Sequence, residues 1–176
     1  MGLKIALGAR GAMSAWRIVQ TEVVASGCVM ITLKSLSAFG ILTAIDLAKV
    51  PEEFRQPVDQ AIQRALDAAF RETPISVIDH CRNAMTVLVS RWLVAEGHDR
   101  SILGDDLAKV AAAVARLPHE KRCVGWLAQV VARLHVRGKA NEAHTKALRI
   151  PVEEDAELAL HAIGFAVRDI GWASKR

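Results

Sequence analysis

From residue 51 onward, apolar side chains recur at spacings of three and four, and prolines stand where that recurrence starts or stops. Proline lacks a backbone N–H, so it fits a helix's first turn and breaks its interior. Pro51, followed by Glu52 and Glu53, opens a first helix whose apolar face is Phe54, Val58, Ile62, Leu66 and Ala69, running to about Glu72. Pro74 breaks it. A second helix is predicted from near Ser76, where Ser76 and Asp79 have capping-box spacing, to a stop at Gly97. It carries Ala84, Met85, Val87, Leu88, Val89, Trp92 and Leu93 and is apolar nearly all round, which predicts a central position. A third helix opens at about Asp105 and ends at Pro118. A fourth, from about Glu120 to His135, places Val124, Leu127, Val130, Val131 and Leu134 on one side. A fifth starts at Pro151, with Glu153, Glu154 and Asp155 in its first turn, and continues through Leu158, Ala162, Phe165 and Ile170 to about Trp172.

The first fifty residues read differently. Residues 18–24 and 28–34 are rich in branched side chains and flank a Ser26-Gly27 turn signal, which predicts a β-hairpin. A further run at 41–45 reads as a strand or as the start of a helix. The fold expected is mainly α: a bundle of four or five helices over residues 51–176, behind a small strand-bearing N-terminal extension over residues 1–50, α+β overall.

Composition supports packed helices. The chain has 176 residues, of which 52% are hydrophobic and only 5% aromatic, with no tyrosine. A core of this kind rests on Ala, Val, Leu and Ile. The stretch from Val23 to Leu47 is interrupted by Lys34 and Asp46, short of the roughly 20 uncharged residues a membrane span needs. Three separate cysteines, Cys28, Cys81 and Cys123, without a CxxC pair, fit reduced thiols in a cytoplasmic protein better than a disulfide framework. The neighbours His80 and Cys81 diverge by about 100° on a helix, which makes them poor joint ligands. His135 and His144 lie nine residues apart, too far for a helical zinc pair, and no cofactor or metal is expected.

The net charge of +4 is unevenly spread. Residues 101–150 hold nine basic side chains against four acidic ones. Inside this block lies the polar break HVRGKANEAH, residues 135–144, between the fourth and fifth helices. An arginine and a histidine at one end of a bundle have a specific use on phosphodiesters. Arg137 can grip a phosphate with two N–H groups, and His144 can move a proton near neutral pH. With RNA, the 2′-hydroxyl is a built-in nucleophile, so no metal is required.

An arginine followed seven positions later by a histidine, at a helix–loop junction before the last bundle helix, resembles the HEPN superfamily. The C-terminal half is similar to the abortive-infection (AbiC-type) C-terminal domains. The similarity rests on PISVIDHCRNAMTVLVSRWL, GWLAQVVARLHVRGKANEAH and PVEEDAELALHAIGFAVRDIGW, and covers about residues 74–173. The resemblance implies a helical homodimer that brings two Arg/His motifs into one cleft and cleaves RNA without metal, in phage defence or opposite an antitoxin partner. It implies Arg137 and His144 as catalytic residues, with Lys139, Asn141, Arg133 and Lys146 as substrate contacts. Two positions depart from the family pattern. Gly138 stands where a polar residue usually follows the arginine, and Thr145 where glycine often follows the histidine. The departure at Gly138 favours the alternative, a non-catalytic helical module that binds nucleic acid or a partner protein.

Overall fold

The computed structural model describes residues 4–9, 12–36, 44–69, 72–117, 121–138 and 148–174. They fall into two compact units, residues 1–41 and 42–176. The protein is mainly α, with a small antiparallel sheet at its N-terminus.

In the first unit, β1 (Lys4–Ala9), β2 (Ala12–Val23) and β3 (Val29–Leu36) form an antiparallel sheet in the order β1-β2-β3. The turn joining β2 to β3 places Gly27 at φ +81°, where a side chain is disfavoured, and Gly27 donates to the Val24 carbonyl at 2.8 Å. The pair slips register between Ile18 and Gln20, which marks Val19 as the extra residue of a bulge. Strand β1, which makes the sheet three-stranded, was not predicted. Its sequence KIALGA has one β-branched residue and gives little propensity signal.

The second unit begins beside its own last helix. Asp46 donates its backbone N–H to Trp172, Ser174 donates to Ala44, and Ile45 bridges Ala173. Of the run at 41–45, residues 41–43 lie outside the described residues. Among the described residues five α-helices follow: α1 (Glu52–Ala68), α2 (Pro74–Ala95), α3 (Leu107–Val114), α4 (Arg122–Arg137) and α5 (Glu153–Asp169).

Helix α2 starts earlier than predicted. Pro74 does not precede the helix; it is the first residue of it, preorganised by its fixed φ. Ser76 therefore lies inside the first turn and makes no capping box. Its hydroxyl hydrogen-bonds the Glu72 carboxylate instead. Helix α2 ends before Gly97, which takes φ +93°.

The central position of α2 follows from its composition. Ile78, Cys81, Met85, Leu88, Val89 and Leu93 are fully enclosed, and α2 packs against α1, α3, α4 and α5. Burial pushes the Cys81 thiol up to about 12, so it stays a neutral packing group. Helices α3 and α4 meet closely at Gly125, where a Cβ would lie 3.2 Å from Val114 and 3.3 Å from the Ala111 carbonyl. Among the described residues no helix is long and apolar enough to cross a membrane.

Because Leu88 is wholly enclosed among four helices, Leu88→Ala should lose about 2–5 kcal/mol of unfolding free energy. Urea denaturation followed by circular dichroism measures it. A loss below about 1 kcal/mol would mean that α2 is not the centre of the core.

Candidate functional site

Three helix ends meet where α4 stops. Asp79, early in α2, faces His135, late in α4, with Oδ1 3.2 Å from Nδ1. Lys121, just before α4, donates to the carbonyl of Asp169 at the end of α5, at 2.6 Å. Helix α4 therefore runs antiparallel to both α2 and α5. Its C-terminus lies beside their N-termini, so dipoles of opposite sense adjoin.

Arg137 is the last residue of α4 and is half-buried. Its charge reaches Asp155 in the first turn of α5. Asp155 is itself buried and is held by a fork from Arg149, at 2.5 and 2.7 Å. One of its oxygens also accepts the backbone N–H of Val152 at 3.0 Å, the carboxylate half of a capping box. Valine has no side-chain oxygen to complete the other half. The Arg149 hydrogen bonds hold the Asp155 carboxyl below its ordinary value; burial opposes them, and Val152, the Arg149 charge and Arg137 assist.

On the α2 side of α4, a depression of about 380 Å³ is lined by Thr73, Ile75, Ser76, Asp79, His135 and Gly138. Gly138 has a packing reason to be glycine. A Cβ there would lie 2.8 Å from the Ile75 γ-methyl, closer than carbon atoms tolerate. The residue that departs from the HEPN pattern thus lets the end of α4 settle against the first turn of α2.

Of the residues singled out from the sequence, Arg133 is exposed on α4, one turn before Arg137. His144, Lys139, Asn141 and Lys146 lie outside the described residues. The sequence pattern missed two partnerships. Asp79 pairs with His135, whereas Arg82, three residues along the same helix, donates to Asn83 at 3.1 Å. Asp155 reads locally as one of three first-turn acids, yet it is the one that Arg149 grips. Both pairs depend on how separate segments meet, which spacing along one helix does not reveal.

Chemically, this end of the bundle holds a cation, Arg137, within the field of an anchored carboxylate, and an Asp–His pair at the rim of a depression. Among the described residues no three His, Cys, Asp or Glu side chains group to hold a metal ion. Comparison with family models, with curated proteins and with solved structures gives no match to this chain.

The Asp155 carboxylate should make stability pH-dependent. A lowered folded-state value means that its contribution is complete above the unfolded value, roughly pH 4, and is lost as pH falls through the folded value. Asp155→Asn should cost about 1 kcal/mol at neutral pH through the weakened cap. Denaturant titrations should show that gap constant above roughly pH 5 and shrinking below pH 4. A gap independent of pH would show that the charge contributes nothing.

Proposed function

We propose that this protein is a metal-independent endoribonuclease of HEPN type, acting in phage defence or as the toxin of a toxin–antitoxin pair. The observation that carries the reading is the position of Arg137. It closes α4 immediately before the polar connection, half-buried, with the carboxylate of Asp155 close enough to act on it. A guanidinium at this position supplies a positive charge where a phosphodiester develops negative charge during cleavage.

In the proposed reaction, Arg137 donates to the non-bridging phosphate oxygens. His144 takes the proton of the RNA 2′-hydroxyl as its oxygen attacks the adjacent phosphorus. The leaving 5′-oxygen needs a proton, which His144 of a second copy supplies if a twofold dimer joins two such ends. The products are a 2′,3′-cyclic phosphate and a 5′-hydroxyl. Arg133, Lys139 and Lys146 hold neighbouring phosphates, and Asn141 orients the strand. Asp155, held by Arg149, places a negative charge in reach of Arg137 without touching substrate.

A second reading, a non-catalytic module for a protein partner, is favoured by the outer face of α4. Trp126 is 56% exposed there and Val130 lies one turn on, an apolar pair that the bundle leaves in water. In this reading Gly138 is a packing residue alone.

Arg137→Ala and His144→Ala should each lower RNA cleavage by about 10²-fold or more, with helical content unchanged. Cleavage by the parent should survive EDTA. If purified parent and both variants release the same products at the same rate, the nuclease reading is wrong. If the parent releases none while retaining a partner through Trp126, the second reading replaces it.

A further inference from the structure

Register partners share one face of a sheet, and successive residues of a strand alternate between faces. In the unit of residues 1–41 this puts Ile5 beside Trp16 and Ile18 beside Leu33 on one face. Past the bulge, Thr21 pairs with Ile31 and Val23 with Val29, and both pairs fall on that same face. Without the extra residue at Val19, the alternation along β2 would carry Gln20 and Glu22 onto it instead. The bulge therefore keeps one face apolar from end to end. Glu22 lies beside Met30 on the alternate positions, which also hold the cross-strand row Lys4, Arg17 and Lys34, so charge is confined to the opposite face.

Among the described residues of this unit none is buried. Val23 is 77% exposed, Val29 59% and Ile31 47%, while Trp16, Ile18 and Leu33 are half-buried. An apolar patch of this kind marks a contact surface. Its chemistry selects the occupant. No register pair on the face includes a charged residue, so a charged partner gains nothing there. A lipid surface would cover the side chains. However, the order β1-β2-β3 leaves the outer backbone edges of β1 and β3 unpaired in the sheet, and hydrocarbon cannot hydrogen-bond them. The same face of a second copy matches in width, length and polarity, and two sheets stacked about 10 Å apart leave their edges in water. The charged row opposite would repel its own copy, which leaves the apolar face for self-association. At about 3.3 Å per residue along a strand and about 4.8 Å between strands, one face covers about 400 Å², so two faces withdraw about 800 Å² of projected area and more of accessible area. Stable pairs bury about 1,200–2,000 Å² and weaker, reversible ones less, so this face suits a dimer of modest affinity.

We propose that a second copy of this chain docks here, sheet on sheet about a twofold axis, with the apolar faces of the two N-terminal units in contact. Strand β2, the longest, then crosses its counterpart at about 30°. The contact uses no residue of the helical unit. It therefore does not require that the protein cleave RNA, and it is distinct from any joining of two Arg137 ends.

Sedimentation equilibrium of the full chain, from about 1 to about 300 μM, tests it. The mass should rise with concentration from one chain toward two, with a Kd of about 10–100 μM. The Val29→Lys, Ile31→Lys double variant sets lysines of both copies in an apolar contact and should weaken association by about tenfold or more. Val29→Thr, Ile31→Thr keeps strand propensity and should weaken it by about threefold or more. Met30→Lys alters a residue exposed to a similar degree between those two, on the opposite face, and should change it by less than about threefold. The positions are exposed, so circular dichroism of each variant should match the parent's. Arg137→Ala should associate like the parent. A parent that stays monomeric at about 300 μM would overturn the proposal, and its sedimentation with phosphatidylcholine vesicles would assign the face to lipid instead. Two further results would overturn it: double variants that associate like the parent, or a Met30→Lys variant weakened as much as they are.

Discussion

Helix α2 offers no wide polar face to water, and the rest of the helical unit is arranged by that fact. Its buried side chains, among them Met85, Leu88 and Leu93, point in several directions around the helix. Removing each from water is worth about 1.5–3 kcal/mol, and it can be realised only if neighbours approach from several sides. Helices α1, α3, α4 and α5 do so. With few aromatic residues to fill space, close approach depends on small side chains. Gly125 lets α4 settle on α3, and Ala84, Ala128, Ala159 and Ala166 are buried with no exposed surface.

The same packing sets the electrostatics of the bundle's end. Once α4 lies antiparallel to α2 and α5, its C-terminus must sit beside their N-termini. Arg137 at the end of α4 suits that helix's dipole, and the acids opening α5 suit theirs. Asp155 joins these local preferences across space, because it caps its own helix, accepts Arg149 and feels Arg137. A buried carboxylate with that many partners is costly to disturb. The cation proposed to meet phosphate thus lies in the field of a carboxylate that Arg149 and the Val152 backbone hold in place.

Much of the helical layout was legible in the prolines and in the three-and-four recurrence, because these report local backbone chemistry. The ambiguity at Pro74 shows the limit of such signals. A proline ending one helix and a proline opening the next look alike in sequence, and only the early start of α2 decides between them. Strand β1 escaped notice because KIALGA owes its pairing to β2 and little to propensity. At the site, Arg137 stood out through its spacing to His144. The partnership of Asp79 with His135 spans 56 positions, and the need for glycine at 138 comes from Ile75, 63 positions away. No short-range pattern encodes either one.

In the proposed function, Arg137 at the end of the bundle serves RNA cleavage driven by the RNA's own 2′-hydroxyl. Analysis of product ends tests it most directly. A defined RNA incubated with the EDTA-treated protein should yield fragments ending in 2′,3′-cyclic phosphate and beginning with 5′-hydroxyl. Fragments bearing 5′-phosphate and 3′-hydroxyl, or cleavage of a substrate whose 2′-hydroxyls are replaced by hydrogen, would contradict it.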